Sequence, residues 1–239
     1  LFFYTLVASF NIIYGYTGYV PFGIVAFIGI GGYGTALSIL HLSYPPLLAI
    51  FVGGLLAALL ALLISPTLKL KGVYFAIVTM AIDLALMGVV INLPEEFAGG
   101  TEGLGIPKQW DPISSYYAML ALCLSSLLAS YLIRYSDLGL KLLSIKSDPE
   151  AAEMIGINIV KYRTIAWVVC AFFIGLSGGI ELWHTSVLDP YTAFDLLLSC
   201  KIIVMGLLGG VGVVLGPILG ASIIYFIDEF VWSTFPLLY

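Results

Sequence analysis

Apolar residues run along this chain in long blocks, and short clusters of Gly, Pro and charge separate them. A helix of about 20 apolar residues crosses the hydrocarbon core of a bilayer. By that measure the runs fall at about 1–14, 19–40, 45–64, 74–93, 114–133, 164–184, 198–211 and 216–235. Gly15-Tyr16-Thr17-Gly18 parts the first from the second, Tyr44-Pro45-Pro46 the second from the third, and Lys69-Leu70-Lys71-Gly72 the third from the fourth. A polar segment, Pro94 to Pro112, parts the fourth from the fifth. The seventh run is short, so the last two also fit a hairpin that crosses only in part. The pattern predicts an all-α, polytopic transmembrane helix bundle with about eight spans, in a single domain over 1–239.

Composition agrees with a lipid-facing surface. Apolar residues make up 61% of the chain and charged residues only 10%, and mean hydropathy is +1.10. A soluble domain carries about 25% charged residues, so this chain has too few to cover a water-facing exterior. The net charge of −5 offers no basic patch, which excludes nucleic acid as a partner. Cys123, Cys170 and Cys200 lie far apart inside apolar runs, fit no zinc pattern and read as small apolar side chains. The first residue is Leu1, not Met, already within an apolar run, and reads as the start of a shortened chain rather than a signal peptide.

Charge placement sets the orientation. If the spans alternate, Lys69, Lys71, Arg134, Lys141, Lys146, Lys161 and Arg163 share one side, seven of the nine basic residues. Lys108 falls on the other side, with Glu95, Glu96, Glu102, Asp111, Asp189 and Asp195. The basic side is then cytoplasmic. Its longest polar stretch, about 134–163, holds Ser147-Asp148-Pro149-Glu150-Ala151-Ala152-Glu153-Met154-Ile155-Gly156. Asp148 or Ser147 can cap a helix there, and Pro149 suits its first turn. Glu150 and Glu153 complement the positive end of its dipole, and Gly156 can end it in the left-handed conformation. A two-turn helix is unstable alone in water. Membrane surface or a partner groove must therefore take up Ala151, Ala152, Met154 and Ile155.

The segment Glu150-Ala151-Ala152, followed after three residues by Gly156, resembles the cytoplasmic loop of ABC importer permeases. Gly18-Tyr19-Val20-Pro21-Phe22-Gly23 with the glycine-rich run to Tyr33, Leu70-Lys71-Gly72-Val73-Tyr74-Phe75, Gly99-Gly100-Thr101-Glu102-Gly103-Leu104-Gly105-Ile106-Pro107 and the stretch from Gly206 to Ala221 extend the likeness in order along the chain. Together they resemble the permeases of branched-chain amino acid importers, in particular the M-type of the two permease subunits. The Leu-Pro of the wider importer loop is absent near Ile165-Ala166-Trp167. The resemblance implies one or two further helices before Leu1. It also implies a multi-pass subunit of the cytoplasmic (inner) membrane, working with a second permease subunit, related or identical, and with ATPase subunits that carry ATP and Mg. In that family 149–156 would be the coupling helix docked on the ATPase. The outer segments 94–112 and 185–197 would receive an extracytoplasmic solute-binding protein. No cofactor or metal belongs to this chain on that reading, and it makes or breaks no bond. Importers of urea or short amides share the pattern.

Other matches give way to simpler explanations. Gly29-Ile30-Gly31-Gly32-Tyr33-Gly34 fits a dinucleotide fingerprint, but no strand precedes it, and close helix packing accounts for it better. Glu181 and His184 have the spacing of half a di-iron site, but the chain has only two histidines. The four-residue spacing of Gly175 and Gly179, and of Gly212, Gly216 and Gly220, predicts smooth stripes for helix packing. Asp83, in the middle of the fourth run, is the ionisable residue most suggestive of a pathway. With Thr79 it lines a candidate substrate route, and its alternative role is a buried ion pair or hydrogen bond. Lys201 is either its partner or a lysine reaching for the outer interface. A stand-alone secondary transporter would need inverted repeats, which are not evident. An intramembrane enzyme would need a nucleophile and base that the chain lacks.

Overall fold

The computed structural model describes residues 1–70, 72–106 and 112–234. Lys71, Lys108 and Asp111 of the charge pattern, Pro107 of the glycine-rich outer segment, and the end of the last apolar run at 235 lie outside the described residues.

Eight long or apolar helices occupy the eight expected runs among the described residues. They are α1 (Phe2–Phe10, continued by a π-helical stretch Asn11–Gly15), α2 (Val25–Leu42), α3 (Pro46–Leu63), α4 (Val73–Ile91), α6 (Pro112–Arg134), α9 (Ile159–Thr185), α11 (Leu196–Gly209) and α12 (Gly216–Thr234). Short elements fill the connections: a 3-10 turn Ser65–Lys69, α5 (Glu95–Ala98), α7 (Asp137–Ser147), α8 (Pro149–Met154) and α10 (Pro190–Ala193). Six segments are long and apolar enough to cross a membrane, namely α2, α3, α4, α6, α9 and 190–209. The bundle is all-α except for a two-residue ladder in which β1 (Leu104–Gly105) pairs antiparallel with β2 (Val187–Leu188).

The expected alternation holds along the described chain. At one end, Lys146 donates to the Gly15 carbonyl at 2.8 Å, Gly212 packs on Gly15, and Leu68 and Lys69 face Asp148 and Glu150 across a cleft. This end gathers the described basic residues other than Lys201. At the other, acidic end, β1 meets β2, and His41 stacks on Phe97 with ring centroids 5.1 Å apart. The segments 94–112 and 185–197 are thus tied together through 104–105 and 187–188.

Glycine lets the central helices close up. A Cβ at Gly31 would strike the backbone of Gly175, and one at Gly175 would strike Ala57. Gly179 rests against Thr35 and Ile50. Gly216 and Gly220 bring α12 onto the backbone of Gly209 and Met205 in α11. Gly29 leaves room for the Phe194 ring, so the fingerprint-like run is a packing surface. Leu47, Leu59, Leu63, Tyr74, Leu132 and Phe226 are exposed on the outside of the bundle, which in a bilayer is the lipid face.

Candidate functional site

Two features separate this bundle from a passive one: a capped helix projecting from the basic end, and a buried polar seam leading away from it.

The projecting helix is α8. Asp148 accepts hydrogen bonds from the amides of Glu150 (3.0 Å) and Ala151 (3.1 Å), and Pro149 fills the first turn. Gly156, at φ +85°, turns the chain out, and Ile157 donates back to the Ala152 carbonyl at 3.0 Å. Only Ala152 is covered, while Met154 is 90% and Ile155 75% exposed, and Ala151 and Glu153 are exposed too. A second helix, α7, precedes α8, where the sequence pattern predicts none. Ser136 caps it, Leu142 and Ile145 anchor it in the core, and Asp148 ends it and starts α8. Burial, with the charge of Arg134 behind it, holds Lys146 below its ordinary pKa. The anchored α7 thus carries a bare apolar tip at Met154 and Ile155.

The seam follows the chain where α2 is broken off from α1. Residues 18–24 are not helical, although they begin an apolar run. Their backbone is satisfied from α4: the Thr79 hydroxyl accepts from the amides of Phe22 (3.2 Å) and Gly23 (3.5 Å) and donates to the Ala76 carbonyl (2.9 Å). Phe75, Thr79 and Asp83 recur every four residues on the buried face of α4. A Cβ on Gly23 would lie 3.1 Å from that of Asp83. Irregular backbone inside a membrane bundle is tolerated where protein or a cavity surrounds it, and broken helices of this kind mark solute sites.

Asp83 is fully buried, and neither carboxylate oxygen has a hydrogen-bond partner. Lys201 does not serve it, because Lys201 pairs with Asp228 of α12 and lies over the Phe3 ring at 4.9 Å. The expected Asp83–Lys201 partnership fails because α11 turns Lys201 toward α12. Four residues account for every described buried side-chain N or O atom without a partner: Asp83, Tyr33, Arg163 (Nε) and Trp167 (Nε1). All sit on α2, α4 and α9. Arg163 donates to the Tyr19 hydroxyl at 2.8 Å with its guanidinium 4.0 Å over the same ring. From there Tyr19, Phe75, Trp167 and Phe27 meet edge to face in series, with centroids 5.1, 5.8 and 4.8 Å apart. At the basic end Tyr19 and Arg163 line a cleft of about 920 Å³ together with Asp148, Glu150 and Glu153.

A family model described as the branched-chain amino acid transport system permease component matches residues 1–236. The chain belongs to that family. Among curated relatives, the chain is 25% identical over 247 residues to the high-affinity branched-chain amino acid transport system permease protein LivM of Escherichia coli K12, covering 90% of this chain and 57% of that protein. It is 25% identical over 200 residues to the probable branched-chain amino acid transport permease protein LivH of Methanocaldococcus jannaschii, covering 77% and 60%. It is 28% identical over 107 residues to the ribose import permease protein RbsC of Escherichia coli K12, covering 43% and 33%. The chain therefore spans less than two thirds of the length of these relatives. No solved structure matches it.

Sequence reasoning singled out Asp83, Thr79 and α8 in this permease but missed Arg163, Trp167 and Tyr19. The signal for the first two was available: they stand four apart on the buried face of α9. Counting Arg163 as a loop residue concealed it.

Proposed function

We propose that this chain is the membrane-spanning permease subunit of an ATP-driven importer for branched-chain amino acids, seated in the cytoplasmic membrane. It works with a second permease subunit, with ATPase subunits that bind ATP and Mg, and with an extracytoplasmic solute-binding protein that lands on 94–112 and 185–197. The observation that carries this reading is the projecting α8, rigidly capped yet leaving Met154 and Ile155 bare. Large apolar side chains kept in water at the tip of an anchored element are a docking device for a partner groove. ATPase closure would push α8, and α7 and α9 would pass the movement into the bundle. The solute would move past Asp83, whose unpartnered carboxylate suits an ammonium group better than it suits urea or an amide. The names of LivM and LivH support the same solute class.

The test is the double substitution Met154→Glu and Ile155→Glu. Both positions face water, so the fold should be kept, with an unchanged unfolding midpoint. Co-purification of the ATPase subunits and ATP-dependent leucine uptake into proteoliposomes should both be lost. Uptake at the wild-type rate by the doubly charged variant would remove α8 as the coupling element and the importer reading with it.

A further inference from the structure

The cleft at the basic end holds more than a coupling surface needs. Arg163 forms part of its floor. It is only 7% exposed, is held in place by the Tyr19 hydroxyl, and keeps its Nε without a partner. A nearly buried guanidinium that lines a cleft of about 920 Å³ is a ready carboxylate receptor. Lys69 adds a second positive charge to the lining, and Asp148, Glu150 and Glu153 add negative ones. A lining that carries both signs fits a zwitterion better than a plain anion or a plain cation.

On the importer reading above, we propose that Arg163 is an exit station that takes the carboxylate of an amino acid while the acidic face of α8 takes its ammonium. This station is separate from Asp83. Tyr19 meets Phe75 edge to face, and Asp83 lies eight residues farther along α4, about 12 Å by helix rise. The two charges of an α-amino acid sit on one carbon, so no single solute spans both places. The ammonium is read first at Asp83 and the carboxylate afterwards at Arg163, with the aromatic series from Phe27 to Tyr19 between them. Because α8 contributes to the lining, a movement of α8 that widens the cleft also releases the solute.

The experiment uses the permease with its ATPase subunits in nanodiscs, without nucleotide, in an Asp83→Leu background that removes the upper station. Equilibrium binding of labelled L-leucine is measured. Saturable binding should persist, and leucinamide (no carboxylate) and 4-methyl-2-oxopentanoate (no ammonium) should each compete at least tenfold more weakly than leucine. Arg163→Gln should weaken leucine binding at least tenfold, and Arg163→Lys should restore part of it. Glu150→Gln with Glu153→Gln should weaken leucine but not the oxo acid. Absence of saturable binding with Arg163 intact would overturn the proposal, as would unchanged binding in Arg163→Gln. Loss of ATPase co-purification in Arg163→Gln would also overturn it, by making Arg163 a docking residue. Failure of the wild-type chain to hold the ATPase subunits would instead count against the importer reading, since leucine binding is scored separately.

Discussion

Replacing Asp83 by Leu should make the protein more stable and nearly inactive. Leu repeats the branching of Asp atom for atom, so the change exchanges two buried oxygens for two methyl groups at a fully buried position. Neither oxygen has a hydrogen-bond partner, and burying such a polar group costs about 1–3 kcal/mol on mutational scales. The favourable burial of the Leu methyl groups and their crowding beside Gly23 act in opposite directions and are taken to cancel. A gain of about 1–3 kcal/mol, at about 2–4 °C per kcal/mol for a chain of this size, raises the unfolding midpoint by roughly 2–12 °C. A charge-assisted contact to an ammonium group is worth about 1.5–3 kcal/mol, so leucine uptake per folded molecule should fall roughly 10- to 150-fold. Thermal unfolding of the detergent-solubilised complex and uptake normalised to folded protein read the two effects separately. A lowered midpoint with uptake intact would refute the reasoning, because it would show that the carboxylate has a structural partner and no solute to meet.

Two further outcomes follow from the packing and the outer loop. Gly175→Ala forces a methyl group onto Ala57 and the Gly53–Gly54 backbone and should cost about 1–3 kcal/mol by overpacking. Gly88→Ala, where nothing lies within 4 Å, should be neutral or stabilise by up to about 1 kcal/mol; equal unfolding midpoints for the two variants would contradict the close packing of α3 with α9. Asp189 caps α10 through the amides of Tyr191 and Thr192, both at 3.0 Å. Partial burial raises its pKa, but these bonds with Thr192 and Tyr191 outweigh it and hold the carboxyl below its ordinary 3.8. A depressed acid stabilises fully above its unfolded pKa and loses that contribution as pH falls through the folded value. Amide exchange over 189–194 should therefore stay slow above pH 3.8 and speed up, once corrected for intrinsic rates, only at lower pH, and Asp189→Asn should abolish that step.

The eight apolar runs were legible because lipid solubility is written residue by residue, and each run became a helix. The beginnings of helices were less so. The second run starts at 19, but α2 starts at Val25, because Thr79, more than fifty residues away, takes the amides of Phe22 and Gly23. No local pattern announces a hydroxyl that arrives from another helix. The opposite error occurred at α9, which starts five residues before its apolar run, capped by the Asn158 side chain on the Lys161 amide at 3.0 Å. That cap was readable, but the charges of Lys161 and Arg163 made the first turns look like loop. In the site, Asp83 stood out as a lone acid in an apolar run. The unpartnered state of its oxygens, and the neighbourhood of Arg163, Tyr19 and Trp167, depend on tertiary structure. The identity of the Lys201 partner likewise depended on how α11 and α12 turn against each other.

The distribution of tight and loose packing suggests which part of the proposed transporter moves. Helices α2, α3 and α9 meet glycine to backbone, an approach that gives no room for sliding without a clash. The central window of α2 is 72% buried, whereas that of α4 is only 22%. Yet α4 carries Asp83, and near the site it meets its neighbours at few places: the Thr79 hydroxyl, the approach of Gly23 to the Thr79 backbone, and Phe75 against Tyr19 and Trp167. Immediately before α4, Gly72 sits at φ +54° with open space around it and lines the same cleft as α8. Sparse packing and a glycine at the joint make α4 the easiest of these elements to displace. Leu68 and Lys69 share that cleft with α8, so a push on α8 would be felt in the connection that leads into α4. Swinging α4 away from α2 would uncover Asp83, while the block formed by α2, α3 and α9 keeps its shape. The energetic burden of an unpartnered buried acid then has a mechanical use, because it biases the closed seam toward opening whenever a cationic group is there to meet it.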